Sequence, residues 1–162
     1  MKTVAAIVLL SCCALAQDKT AISRAEAGCG PQGAKFEVQT ESRHPVPPPE
    51  PGKALIYFVA DGHLTNTFGV DGKWVGALSG GRYFFVSIEP GEHHVCALLE
   101  SVSKGFEVSV HFLKADPGGT YYFRTRMVGI NTGFVLELAQ LDPDEGRWFI
   151  AWSSFSTSHP KD

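Results

Sequence analysis

No apolar run in this chain is long enough to cross a membrane as a helix, which takes roughly 20 residues; the run Val4–Leu10 falls far short. An excess of positive charge is also lacking. The 14 Lys and Arg residues stand against 17 Asp and Glu, so there is no basic face for nucleic acid. The linear signatures of common enzymes are missing too: no G-x-S-x-G elbow, no glycine-rich phosphate loop between a strand and a helix, and no H-E-x-x-H. The glycine-rich Ser79–Tyr83 falls between two expected strands and reads as a loop. No C-x-x-C or H-x-x-x-H spacing offers the three or four converging ligands of a zinc site. These absences weigh against an enzyme and against a resident cofactor. Catalytic residues that converge only in space leave no such trace.

What is present at the N-terminus points to export. Lys2, the apolar run and the small-x-small triplet Ala14-Leu15-Ala16 form a signal peptide over residues 1–16, cut before Gln17. A rival route reads Leu9-Leu10-Ser11-Cys12 as a loose lipoprotein box, with a lipid anchor on Cys12. Either route leads to the periplasm, the cell envelope or the exterior. Beyond residue 16 there are 13 basic and 17 acidic residues, a net charge of −4. Two cysteines remain there, Cys29 and Cys96, and an even count in an oxidising compartment predicts a disulfide between them. The alternative is two free buried thiols.

Residues 17–52 read as an N-terminal arm and linker. Five prolines between Arg43 and Gly52 favour stiff polyproline II, and a short strand over Ala34–Val38 precedes them. The domain proper spans 53–152, with a tail over 153–162. Runs of β-branched and aromatic residues, punctuated by Gly, Pro and Asp, predict an antiparallel β-sandwich of about eight short strands. Ala54–Ala60 is apolar on both faces, as a central strand requires. Asp71-Gly72 predicts a type I′ hairpin. Further hairpins are expected at Pro90-Gly91 and at Asp116–Gly119, and a turn at Asn131–Gly133. Asp142-Pro143-Asp144-Glu145 supplies an N-cap, a first-turn proline and a capping-box glutamate, so one short helix is predicted over Pro143–Trp152. Its Trp148, Phe149 and Trp152 would cover a sheet edge or an open end of the core.

Period-two alternation predicts which way side chains point. Phe106, Val108, Val110 and Phe112 are expected inside, with Glu107, Ser109 and His111 outside. In the next strand Tyr121, Phe123 and Met127 would be inside, leaving Tyr122, Arg124 and Arg126 as an outward row. An aromatic ring beside two arginines is a candidate site for an acidic sugar or a phosphate, since Arg offers planar paired donors. The plainer reading is an ion-paired face, with Arg126 opposite Glu137. In the last strand Phe134, Leu136 and Leu138 would point in.

The segments "VDGKWVGAL", "GGRYFFVSIEPGEHHVCA" and "DPGGTYYFRTR" resemble a bacterial family of small exported domains of unknown function, similar in style to PEGA β-sandwich domains. The resemblance covers about Lys53–Ile150. It implies an envelope β-sandwich that interacts with an envelope protein or glycan rather than catalysing a reaction, and carries no catalytic residue set. It also implies that His93 packs beside its turn. His93 and His94 point to opposite faces of a strand and cannot share a metal unless the strand bulges. The alternative reading is a small metal-binding protein or metal-dependent enzyme that uses His63, His94 and His111.

Overall fold

The computed structural model describes residues 29–31, 33–101, 105–131 and 133–161; the expected signal peptide and Cys12 lie outside the described residues. Ten strands and one helix are present among them. In chain order these are β1 (Phe36–Thr40), β2 (Ala54–Ala60), β3 (Thr65–Val70), β4 (Lys73–Ser79), β5 (Arg82–Ile88), β6 (Gly91–Ser101), β7 (Gly105–Ala115), β8 (Thr120–Ile130), β9 (Gly133–Leu141), α1 (Pro143–Trp152) and β10 (Ser154–Pro160). They form a six-stranded sheet, β1-β10-β5-β2-β8-β9, and a four-stranded sheet, β4-β3-β6-β7. The molecule is thus mostly β with two sheets, as expected, but not purely antiparallel. β2 runs parallel to β8, and β10 runs parallel to β5 for two residues.

The helix has the predicted bounds. Asp142 caps it by accepting from the backbone amides of Asp144 and Glu145 at 2.9 and 3.0 Å, which satisfies two of the amides that a helix start leaves without partners. The Asp71-Gly72 turn also forms as read, with φ of 50° and 74° at the two residues. Two other reversals do not make hairpins. Pro90-Gly91 and Asp116–Gly119 carry the chain from one sheet to the other, β5 to β6 and β7 to β8. A turn signature marks where the backbone bends and is silent on whether the flanking strands then pair. The true hairpins are β3–β4, β6–β7 and β8–β9. Residues expected as a tail form β10, which pairs antiparallel with β1 from Phe36↔Pro160 to Thr40↔Ser156.

The inner core joins the sheets through aromatic rings. Phe58 on β2 meets Phe68 on β3 at 4.8 Å between centroids, Phe84 at 5.1 Å and Phe123 at 6.2 Å. The other face of β2 is buried as well, so all seven of its residues are inside. There Tyr57 stacks on Tyr122 and lies near Tyr83 and Phe85. Two covers lie over this second layer. The proline-rich segment takes hydrogen bonds from Tyr57 and Tyr83, whose hydroxyls donate to Pro47 O at 3.0 Å and Pro45 O at 2.9 Å. Burial pushes the Tyr83 hydroxyl up to about 12 and raises that of Tyr57 as well. The helix is the other cover. Gly146 rests on the Tyr122 ring so closely that a Cβ there would collide with it, which explains a glycine inside a ten-residue helix.

The alternation in β7 is real, but its polarity is opposite to expectation. Leu113 and Ala115 are buried, whereas Val110 is 44% and Phe112 74% exposed; the Phe106 side chain lies outside the described residues. Glu107, Ser109 and His111 face β9. Glu107 accepts from the Leu136 amide at 2.8 Å, and Ser109 from the Leu138 amide at 3.0 Å. β9 ends its sheet, so these amides have no neighbouring strand, and side-chain oxygens from β7 take the place of one. The opposite corner repeats the device, with Ser158 on β10 accepting from the Ala77 amide of edge strand β4 at 3.1 Å. Polar residues belong on that face because it covers a sheet edge.

Candidate functional site

The outward row expected on β8 is taken apart by the helix. Tyr122 is buried under α1 rather than exposed, and burial raises its hydroxyl pKa, opposed by Arg147. Arg124 pairs with Asp61 and lies with its guanidinium 4.1 Å from the centroid of the Phe149 ring, a cation–π contact. Burial lowers its pKa. Arg126 is exposed and donates to Glu137 at 2.5 Å, directly across the β8–β9 hairpin, as the plainer reading anticipated. Met127 and Phe134 are exposed rather than inside, while Leu136 and Leu138 are buried as expected. On the helix, Phe149 packs against the core but Trp148 and Trp152 stay exposed, so they cover neither an edge nor an open end.

The three candidate metal histidines are not brought together. His94 lies on the outer face of the four-stranded sheet, its ring edge-on to Phe112. His111 points to the opposite face, against Phe123 and Gln140. The register explains this, because His94 pairs with Phe112 and the adjacent Val95 with His111. His63 sits on the turn between β2 and β3. Among the described residues no three His, Cys, Asp or Glu side chains converge as a metal would need.

His93 packs beside its turn. Its Nδ1 lies 2.6 Å from Asp71 Oδ2 and its Nε2 2.7 Å from Glu89 O. Two acceptors facing the two ring nitrogens favour the protonated ring. Burial works to lower the His93 pKa, but these two hydrogen bonds and the Asp71 charge together raise it. Asp71 is lowered: burial works against this, and the His94 amide and the His93 ring outweigh it. The Asp71 share of stability is in place above its ordinary value of 3.8 and is lost as pH falls through the lowered value. The His93 share is full below its ordinary 6.5 and is lost as pH rises through the raised value. Urea unfolding of wild type and His93→Gln is therefore expected to differ most between these two ordinary values. The gap should narrow above the upper one and close once pH has passed the raised His93 value; a gap that widens there would contradict the pairing.

A cleft of about 100 Å³ opens at one end of the sandwich, between the Asp61–Leu64 turn and strands β8 and β9. Its walls are Leu64, Leu99, Met127 and Leu136, and Arg126 and His63 stand with Asp61 around it. It thus gathers one arginine of the expected row and one of the expected histidines. Asn66 lines the cleft and is only 6% exposed. Its Nδ2 donates to Leu64 O at 3.3 Å, while Oδ1 has no partner among the described residues. A buried carbonyl oxygen without a donor costs about 1–3 kcal/mol, which makes Asn66 Oδ1 a candidate for a donor from outside the chain. Asn66 escaped the sequence reading, although a signal existed. It lies in phase with Phe68 and Val70, so a carboxamide occupies a core-facing position of β3.

No family model, curated protein or solved structure matches this chain.

Proposed function

We propose that this protein is an exported, non-catalytic binding module of the bacterial cell envelope, which holds a small ligand, or a protruding group of a larger one, in the end cleft of its sandwich. The unpartnered Oδ1 of the buried Asn66 carries this reading. Apolar walls with one polar group of fixed position are the usual make-up of a small-ligand site. Export is supported by the leader-like N-terminal sequence and by the Cys29–Cys96 disulfide, with Cα atoms 5.5 Å apart. Arg124 and Arg126 are each engaged in an ion pair, with Asp61 and Glu137, which favours a neutral ligand over an acidic one.

A fragment screen read by NMR tests this on the oxidised, exported form. Ligands are expected to perturb the Leu64, Met127 and Leu136 methyls and the Asn66 side-chain amide together. Hits confined to the outer face around Phe112 and His94 would overturn the cleft and leave a protein-contact surface in its place.

A further inference from the structure

The cleft has a particular chemical bias. Among the described residues it offers one buried acceptor without a partner, Asn66 Oδ1; Asn66 Nδ2 gives one of its two N–H groups to Leu64 O, and the Thr125 hydroxyl points to Val59 O at a long 3.5 Å. The matching ligand group therefore brings one N–H or O–H donor. Leu99, opposite Asn66 in register, and Leu136 line the same cleft and are both buried, so the atoms attached to the donor must be apolar. About 100 Å³ accommodates a few heavy atoms, since a cavity of roughly 150 Å³ takes benzene. The rest of the ligand must be polar, because Asp61, His63 and Arg126 surround the cleft.

From these four conditions we infer that the cleft takes the acetamido group of an N-acetylated amino sugar, with the methyl against Leu99 and Leu136, the amide N–H on Asn66 Oδ1 and the sugar hydroxyls among the charged groups at the rim. This inference rests on the reading of the cleft as a binding site. A hydroxyl on a bare sugar satisfies the acceptor but brings no apolar end. A hydrocarbon fills the walls but leaves Oδ1 unpaired. Oδ1 has no solvent exposure in the free protein, so binding requires the Asp61–Leu64 turn, whose Leu64 is more than half exposed, to open far enough for the amide to reach it. Binding is then coupled to a small movement of the Asp61–Leu64 turn.

The same feature sets the expected behaviour of a variant. Asn66→Leu removes an unpartnered buried oxygen together with one long hydrogen bond to Leu64 O on its turn, and puts an apolar group of similar size in their place, a net change that is neutral or favourable for folding. Its melting temperature is expected to equal or exceed that of wild type, while its ligand affinity falls at least tenfold. A merely structural asparagine would give a lowered melting temperature.

The experiment is an NMR titration of the oxidised protein with N-acetylglucosamine, glucose and N-acetylalaninamide. N-acetylglucosamine is expected to shift the cleft signals with a dissociation constant on the order of 1 mM, and the other two far less. The shifts should be lost in Asn66→Leu and in Leu64→Trp, whose larger ring at an exposed position plugs the mouth. Equal binding of glucose would overturn the acetamido assignment, and equal binding of N-acetylalaninamide would overturn the sugar. Undiminished binding to Asn66→Leu would remove Asn66 from the site. If N-acetylglucosamine gives no shift while fragments still collect in the cleft, the ligand class is wrong and the binding module stands. If neither binds, both fall.

Discussion

Replacing Cys29 and Cys96 together by alanine is expected to lower the stability of the oxidised protein by about 4 kcal/mol, the loop-closure entropy of a bridge of this span. The two residues are 67 positions apart, and the bridge ties the arm before β1 to the middle of β6. Its surroundings are built for close approach. A Cβ on Gly69 would collide with the Cys29 carbonyl, and one on Gly30 would meet the Trp74 ring at 2.9 Å. Trp74 also donates its indole N–H to Pro31 O at 2.7 Å. Opening the bridge should therefore release the arm from Trp74 and shift the tryptophan emission as well as the denaturation midpoint. Urea unfolding of wild type, reduced wild type and the double variant reads both. A loss below about 1 kcal/mol would mean that the arm is held by its contacts and that the bridge restrains little of the unfolded chain.

The second large effect separates two phenylalanines that composition cannot tell apart. Phe58→Ala is expected to cost about 3–5 kcal/mol, the usual range for truncating a fully buried aromatic ring, because Phe58 joins Phe68 of one sheet to Phe84 and Phe123 of the other. Phe112→Ala should cost no more than about 0.5 kcal/mol, as its ring is 74% exposed. The pair measures the polarity of β7 directly. If alternation alone set that polarity, Phe112 would be a core residue and the two losses would match. Denaturation of the two variants under the same conditions distinguishes these outcomes.

Much of the fold was legible because it depends on local chemistry. Asp71-Gly72 needs positive φ and has it, Asp142 offers a cap and is used as one, and a strand apolar on both faces lies in the middle of its sheet. The parts that were misread depend on what a face meets, which periodicity does not contain. Glu107 and Ser109 look like solvent residues, yet their partners are backbone amides of β9, some 29 positions away. Tyr122 lies in the expected outward row, but the helix that buries it lies 20 residues further on and fits only because residue 146 is glycine. Pro90-Gly91 and Asp116–Gly119 bend the chain as read, and only the sheet order shows that they are crossovers. The site followed the same division. Arg126 facing Glu137 came from hairpin register. Asn66 depended on noticing one amide in phase with two core residues, and the cleft around it on the meeting of β3, β6, β8 and β9.

The pairing of β1 with β10 bears on the order in which the molecule can assemble. Phe36 lies opposite Pro160, and Lys161 donates back to Lys35 O at 2.8 Å, so β1 finds its strand partner only in residues made more than a hundred positions later. β2 likewise takes Thr120 to Thr125 as its parallel neighbours, more than sixty positions away. Contacts of such long range form late and slow the search for the native state. A growing chain can close the β3–β4 and β6–β7 hairpins early, but β1 remains without its strand partner until β10 has emerged. Completion of the six-stranded sheet therefore waits for the synthesis of β10.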